Sequence, residues 1–222
     1  MNTMDDYGGM DGFTLPERDQ GPILKEDWEK QVWGVAITVW AKGMHGYRGG
    51  SRADIERIPP ELYIDMPYYA KWLWAEEKSI VRSGLTTEGE LSNPDGDLKM
   101  PEGPAFVPAP PADVIAFLKG DDSSEIPATV EPGFVVGDEV VVSNEHPAGH
   151  TRVPRYLRGH RGIIQKHHGV HRFQDDVPED EDPGQQHLYT VAFTGPELWG
   201  RRANVMDKIH AEIWEYHLEP AS

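Results

Sequence analysis

The feature with the clearest chemical potential is a basic segment within an acidic chain. Residues 150–174 hold six of the 21 lysines and arginines and five of the ten histidines, yet no aspartate or glutamate. The whole chain has a formal net charge of −17. Such a concentration of bases favours a specific anion as ligand. The alternative is pairing with the acidic run 175–182 just downstream, and for the residues from His167 onward both interpretations stay open.

Arg152 is the base in this segment whose backbone the sequence restricts most. It follows the turn residues 147–149 and precedes Val153 and Pro154. Because the proline ring fixes its own φ, the chain around Arg152 is expected to be stiff. Pairing with the downstream acids explains this arginine less well than it explains the later bases.

Three histidines in a short stretch suggest a metal site at first sight. His167, His168 and His171 could ligate zinc, nickel or cobalt. However, neighbouring residues of a strand point to opposite faces, and no helical i, i+4 pair is present. Surface histidines are therefore the favoured interpretation.

The first half of the chain offers a second group of arginines beside an aromatic cluster. Arg52 and Arg57 are five residues apart, so on a helix they diverge by about 140°. One of them can line a site while the other pairs with a carboxylate such as Asp54 or Glu61. Downstream, the 68–74 region carries a tyrosine and a tryptophan four residues apart, which share a helix face and form a candidate pocket wall unless they simply pack in the core.

Several classes of chemistry are excluded by what the sequence lacks. The chain has no cysteine, which rules out disulfides, thiolate ligands and a cysteine nucleophile. It has no nucleophile elbow, phosphate loop or dinucleotide fingerprint. With rigid arginines and an aromatic wall but no reactive group, it has the features of one half of a site.

Composition sets the broad class. The 222 residues are 38% hydrophobic and 27% charged, which is typical of a globular protein with one large domain or two small ones. The acidic balance disfavours nucleic-acid binding. No apolar run has the length of a membrane helix, and the acidic N-terminus lacks a signal-peptide pattern, so a cytoplasmic location is expected.

The helices that must position these residues are all predicted in the first half. Glycines and prolines predict that residues 1–24 form an extended arm, which is expected to bury its apolar residues against another surface such as a partner chain. A helix over 26–42 should bury a stripe of Trp28, Val32, Val35 and Val39. Ser51 is expected to cap a short helix, since Asp54 three residues on completes a capping-box pattern.

A longer helix should run from Pro67 to about Ser83, with Gly84 just past its end. Prolines then mark 92–132 as a linker interrupted by a short helix over 112–119.

Beyond residue 130 the apolar residues alternate, which predicts four or five short strands in a small antiparallel barrel. The predicted fold class is therefore α+β: a helical N-terminal half with an extended arm, a Pro-rich linker and a C-terminal β-barrel. The domains are placed at 1–130 and 131–222.

Six segments, in order along nearly the whole chain, resemble the nitrile hydratase beta subunit family. Each match alone is weak, but the ordered set is specific. The segments are 6–13 (DYGGMDGF), 26–29 (EDWE), 67–69 (PYY) with Trp72, 149–152 (GHTR) with Tyr156 and Arg158, 188–193 (LYTVAF), and 197–200 (ELWG).

The resemblance implies a fold and a partner. The C-terminal part would be a Src-homology-3-like barrel. The alpha subunit would carry a low-spin metal in a Cys-rich loop with two oxidised cysteines, this chain binding no cofactor itself. The stretch 166–169 favours non-corrin cobalt(III) over iron(III) there. The expected lyase reaction hydrates a nitrile to the amide, in an αβ heterodimer or α2β2 heterotetramer.

The resemblance also implies roles for individual residues. Arg52 and Arg152 match the family arginines that hold the oxidised cysteines, and forked guanidinium donors suit such anions better than lysine does. Tyr68 matches a tyrosine near the reacting group, and Trp72 matches an aromatic pocket position. Together with Arg52 and Arg152, Tyr68 forms the expected catalytic set.

One stretch departs from the family pattern. Where bulky apolar pocket residues precede the first arginine in the family, this chain has Arg48, Gly50 and Ser51. Arg48 and Ser51 are therefore expected to bind substrate with Trp72, in a roomier or more polar pocket.

Two other functions fit the same resemblance. A thiocyanate hydrolase-like enzyme uses a related architecture with the beta portion divided into two chains, whereas both halves are joined here. A non-catalytic accessory protein that activates the alpha subunit is the third possibility, although the acidic C-terminal end here differs from the basic tails of such activators.

Overall fold

The computed structural model describes most of the chain as two compact units. One unit spans 11–122, and the other combines 1–10 with 123–222. The described residues are 3–10, 12, 21–43, 50–93, 95–97, 101–103, 107–120, 125–176 and 182–221. The expected site residue Arg48 therefore lies outside them.

The first unit is helical. Its two 15-residue helices, α1 and α4, pack against each other, and α2 packs on α4. The helices are α1 (Asp27–Ala41), α2 (Gly50–Glu56), α3 (Pro60–Tyr63), α4 (Tyr68–Arg82), α5 (Glu88–Ser92) and α6 (Pro111–Lys119).

Helix α1 begins where a capping box closes its first turn, through the reciprocal contacts of Glu26 and Glu29. The predicted stripe is only half right. Val32 and Val39 are buried, but Val35 is 48% exposed, and Trp28 is also exposed. The buried face of α1 also includes Ala36 and Ile37, so it is rotated from the predicted stripe.

Helix α4 has the predicted ends. Pro67 precedes its first residue, and Gly84 follows its C-cap with φ of 77°. The Gly84 and Leu85 amides donate to carbonyls of the last turn, as in a Schellman motif.

Helix α2 differs from expectation at its start. It begins at Gly50, so Ser51 lies inside the helix and does not cap it. The predicted capping box with Asp54 is wrong, because the buried Asp54 instead pairs with Arg82 of α4.

The second unit is built on an antiparallel sheet, which confirms the α+β class. The described strands pair in the open order β5-β4-β3-β2-β6, with β1 paired to β3. A short helix, α7 (Gly195–Trp199), follows β4. The strands are β1 (Glu125–Ile126), β2 (Glu139–Val142), β3 (Arg161–His171), β4 (Gln186–Thr194), β5 (Lys208–Trp214) and β6 (Leu218–Pro220).

The sheet core follows the period-two pattern. Along β4 the burial alternates residue by residue, and Tyr189, Val191 and Phe193 point inward. They pack with apolar residues of β2, β3 and β5, among them Val140, Val142, Ile164 and Ile213. In the part of the chain described, no helix is long and apolar enough to cross a membrane.

Residues 3–10 of the arm lie in the sheet unit. The carboxylate of Asp6 is buried there, and it accepts hydrogen bonds from the backbone N–H and Nε of Arg155 at 2.9 and 3.1 Å. Tyr7 and Met10 are about half exposed in this chain. Their burial against a partner chain stays a prediction. The apolar residues expected between 13 and 20 lie outside the described residues.

Glycine is required where the arm crosses two stacked rings. Tyr156 and Trp199 stack with centroids 5.5 Å apart. Gly9 has φ of 74°, and a Cβ there would lie 2.7 Å from a Trp199 ring carbon. Both the backbone conformation and the space exclude a side chain.

Gly9→Ala is expected to destabilise the chain more than Gly137→Ala does. Gly137 also has a left-handed φ, of 100°, but nothing lies within 4 Å of a Cβ there. The left-handed conformation costs each variant about 1–2 kcal/mol. The clash with Trp199 adds about 1–3 kcal/mol for Gly9→Ala alone. Urea unfolding of the purified chain measures both losses, and equal losses would mean that the arm does not dock on these rings.

Candidate functional site

Helix α2 holds Arg52 between two anchored neighbours. One residue before it, the Ser51 hydroxyl donates to Glu76 Oε1 at 2.8 Å. Two residues after it, the Asp54 carboxylate accepts from Arg82 at 2.7 and 3.3 Å. Since Glu76 and Arg82 both belong to α4, these contacts fix α2 on that helix.

The Arg52 side chain itself is exposed, and among the described residues it forms no hydrogen bond or ion pair. Arg57 lies 3.8 Å from Asp54, one of the two carboxylates that the sequence suggests as its partner. The guanidinium of Arg52 is therefore available to an external anion.

An aromatic wall lies on the first turns of α4. Tyr68 and Trp72 are 6.0 Å apart between ring centroids, and Trp40 of α1 lies 5.1 Å from Trp72. Tyr68 is 65% exposed, so its hydroxyl is accessible. It borders an open cleft of about 500 Å³, whose lining includes Lys25 and Glu29. Tyr68 and Tyr69 supply the aromatic part of the lining, and such a mixture of aromatic and charged groups is typical of small-molecule sites.

Glu76 lies beneath this wall, and sequence reasoning missed it. Its Oε1 accepts from the Ser51 hydroxyl and from the indole N–H of Trp40, and its side chain is almost fully buried. Burial raises the pKa of Glu76, although the hydrogen bonds from Ser51 and Trp40 act in the opposite direction. A signal was present, since residues 68, 72 and 76 follow one face of a helix.

The Ser51 side chain is not an open pocket wall. Ser51 is half-buried, and its hydroxyl both donates to Glu76 and accepts from Trp40 at 3.1 Å. In the helical unit, contacts through Trp40 and Glu76 connect three of the expected site residues: Ser51, Tyr68 and Trp72. Arg52 follows Ser51 on α2, and its side chain is exposed.

The sheet unit carries Arg152 on a loop held by two consecutive aspartates. Asp175 Oδ2 accepts from the Thr151 hydroxyl at 2.7 Å and from the Arg152 backbone N–H at 2.8 Å. Asp176 Oδ2 accepts from the backbone N–H of His150 at 2.9 Å, and the Asp176 N–H donates back to the His150 carbonyl. The backbone is fixed while the Arg152 side chain is exposed.

The Asp175 carboxylate is ionised despite complete burial. Burial alone would raise its pKa. Hydrogen bonds from His217, Thr151 and the Arg152 backbone outweigh burial and hold the pKa below its ordinary value. His217 Nε2 donates at 2.8 Å. The sequence offers no signal for these contacts, since His217 is 42 residues from Asp175.

Other members of the basic segment have partners within the chain. Arg155 binds Asp6, and the buried guanidinium of Arg158 donates to the Val153 carbonyl at 2.8 and 3.2 Å. The acidic residues 175 and 176 contact 150–152, so the described contacts do not pair them with the bases from His167 onward. Residues 177–181 of the acidic run lie outside the described residues, so pairing of the later bases with that run stays a prediction.

The histidine stretch does not form a metal centre in the described residues. His167 Nε2 lies 2.9 Å from His187 Nδ1, and His168 Nε2 lies 2.7 Å from the Thr190 hydroxyl. Burial lowers the pKa of both His167 and His168. These histidines make hydrogen bonds within the sheet.

Comparisons with known proteins cover both units. Residues 1–114 match the family "Nitrile hydratase beta subunit, N-terminal", and residues 123–220 match "Nitrile hydratase beta subunit, C-terminal". A nitrile hydratase subunit beta of Pseudomonas putida is 33% identical, with 100% of both chains covered. A cobalt-containing nitrile hydratase subunit beta of Pseudonocardia thermophila is 32% identical over 99% of this chain and 96% of the relative.

Among solved structures, an apo thiocyanate hydrolase from Thiobacillus thioparus is similar to part of the chain. It has a TM-score of 0.37 and 26% identity, and the alignment covers 41% of this chain and 78% of that one.

Glu76→Gln is expected to change the pH dependence of stability. The folded chain holds the Glu76 proton more tightly than the unfolded chain does, so the free energy of unfolding falls as pH rises above 4.5. Glutamine keeps an acceptor for Ser51 and Trp40 but has no charge, so the variant should gain stability over the parent chain as pH rises.

Urea unfolding at a series of pH values measures this gain. The control is Glu77→Gln, which makes the same change at a more exposed position of α4. Parallel stability curves for Glu76→Gln and the parent chain would contradict the expectation.

Proposed function

This chain belongs to the nitrile hydratase beta subunit family, and from that premise we propose that it works as the beta subunit of a nitrile hydratase. The reaction adds one water to R–C≡N and gives R–C(=O)NH₂. The chain is inactive by itself, because it contains no cysteine with which to build the reactive centre. Its partner is an alpha subunit that carries the metal, in an αβ or α2β2 assembly.

The partner's metal supplies Lewis acidity toward the nitrile or the nucleophile. Non-corrin cobalt(III) is favoured over iron(III), because relatives from Pseudonocardia thermophila and Rhodococcus rhodochrous are named cobalt-containing. The stretch 166–169 supports the same choice. The residues of this chain fit a role beside that centre, since Arg52 and Arg152 are exposed cations on fixed backbone.

The observation that carries the proposal is that each of these arginines combines a fixed backbone with an exposed side chain. Arg52 lies between Ser51 and Asp54, both bound to α4, and the backbone N–H of Arg152 is bound to Asp175. Each guanidinium donates forked hydrogen bonds to the oxidised cysteines of the partner. Sulfenate and sulfinate oxygens are anions, and planar forked donors fix their orientation as well as their charge.

Tyr68 and Trp72 contact the substrate. The exposed hydroxyl of Tyr68 orients the substrate or the attacking group, and the ring of Trp72 forms an apolar wall. Ser51 supports this wall from beneath, with its hydroxyl held on Glu76. Arg48 is proposed as a further polar residue of the wall, which favours a nitrile with a polar or bulky substituent.

The finer architecture follows the family. We infer that the open sheet belongs to a Src-homology-3-like barrel and that the proline-rich stretch 92–132 links the two domains, 1–130 and 131–222. A cytoplasmic location remains a prediction from the sequence. Thiocyanate hydrolysis and an accessory role are alternative outcomes of the experiments below.

The chain alone should form no amide, whereas co-expression with an alpha subunit should give a stable complex that hydrates a nitrile. The assay compares amide formation by the lone chain, by the complex, and by the complex supplied with thiocyanate. Turnover by the lone chain would contradict the proposal. A complex that hydrolyses only thiocyanate would assign the second activity, and transient binding without turnover would assign an accessory role.

Arg152→Lys and Arg52→Lys should each lower kcat by about 100-fold or more, as loss of a fixed donor does at other anion-stabilising sites. Lysine keeps the charge but loses the fork, so the complex should still form. Arg172→Lys is the control, because Arg172 is an exposed base of the same segment. Full turnover in Arg152→Lys would refute the proposed binding of the oxidised cysteines by Arg152.

A further inference from the structure

The connection between β3 and β4 places one carboxylate beneath the loop 150–153. Asp175 is fully buried. Its Oδ2 accepts three hydrogen bonds, from the Thr151 hydroxyl, the Arg152 backbone N–H and His217 Nε2, at 2.7, 2.8 and 2.8 Å. The donors come from two separate parts of the chain, so one atom ties the loop to the turn before β6.

These contacts bind the backbone on both sides of Arg152. The Thr151 hydroxyl, which donates to Asp175, also accepts from the Val153 N–H at 3.2 Å. The Arg152 N–H is bound directly. Pro154, next along the chain, fixes its own φ. Three successive residues thus have their positions set by a single carboxylate.

The neighbouring aspartate reinforces the same loop. Asp176 and His150 exchange hydrogen bonds, and the Asp176 carboxylate lies against Gly149, where an added Cβ would come within 2.5 Å of Oδ2. Any residue larger than glycine at position 149 would displace this carboxylate. The close approach explains a glycine directly before the histidine of the GHTR segment.

We propose that Asp175 is a positioning residue for Arg152: it holds the backbone of the arginine so that the guanidinium leaves the surface in one direction. The inference rests on the proposed function, in which Arg152 grips an anion of the alpha subunit. Asp175 acts through Arg152 and touches no reacting group.

The charge of Asp175 contributes to this role. Charged acceptors form shorter and stronger hydrogen bonds than neutral ones, and three donors on one oxygen keep that charge ionised in a buried place. A flexible arginine loses rotational freedom when it binds, and a fixed backbone lowers that cost before the partner arrives. Fixing the backbone of residue 152 should therefore affect turnover more than substrate affinity.

The test compares Asp175→Ala and Asp175→Asn in the complete complex. Alanine removes the acceptor, whereas the asparagine oxygen can take the place of Oδ2 and keep the three donors without the charge. Hydrogen–deuterium exchange of segment 150–153 reports directly how firmly its backbone N–H groups are held. Steady-state kinetics with a nitrile give kcat and KM separately.

Asp175→Ala should speed exchange of the segment by about tenfold or more, which corresponds to loss of a hydrogen bond to a charged acceptor. It should lower kcat by a similar factor while KM changes by less than about threefold. Asp175→Asn should recover most of both properties. Thr151→Val removes one donor and should have an effect between the two.

Asp138→Asn is the matched control. Asp138 accepts a backbone hydrogen bond from Val135 at 2.8 Å in a different turn of the same unit. It should leave exchange of segment 150–153 and both kinetic constants unchanged.

The outcomes separate this inference from the proposed function. Unchanged exchange in Asp175→Ala would overturn the inference, as would faster exchange with unchanged kcat while Arg152→Lys is inactive. Full turnover by Arg152→Lys would overturn the proposed function, whatever the exchange shows. If Asp175→Ala forms no complex, Asp175→Asn and Thr151→Val decide: normal exchange in Thr151→Val would then refute the positioning role.

Discussion

Buried carboxylates that accept hydrogen bonds from loops and helices are the interaction on which the proposed site depends. Asp175 holds the loop of Arg152, while Asp54 and Glu76 hold the helix of Arg52. In each case the acid is buried and the arginine beside it is exposed. A buried acid is costly unless its donors are in place, so these contacts permit few alternative backbone positions. The same arrangement therefore fixes the backbone and leaves the cation outside.

Contacts within the chain account for much of the basic segment 150–174. Much of the basic segment is satisfied within the chain, since Arg155 binds Asp6 and Arg158 binds a carbonyl. Among the described residues, acids at positions 6, 175, 176 and 197 bind this segment. An acidic chain with a locally basic segment thus builds its loop through specific pairs.

The sequence predicts those features whose causes are local. Pro67 and Gly84 bound α4 because each acts on its own backbone dihedrals, and the alternation in β4 follows from the geometry of a strand. The capping role of Ser51 was wrong because a tertiary partner, Glu76, takes its hydroxyl. The role of Asp175 could not be predicted from the sequence, since its donors lie 23 to 42 residues away. Nothing in the sequence distinguishes it from the other acids among the 38 in the chain. The position of Glu76 could have been predicted, because it continues the helix face of Tyr68 and Trp72.

In the proposed function the reactive group belongs to the alpha subunit, which explains why this chain supplies arginines on a fixed backbone. Oxidised cysteine ligands are anions whose geometry must be held during turnover, and donors that reorganise would lose much of their stabilising effect. Arginines on a backbone already fixed by Asp175, Asp54 and Glu76 do not need the partner to order them. The free energy of association is then available for orienting the anions. Substituting the buried acids should accordingly weaken catalysis through the arginines, even though none of these acids would contact the substrate.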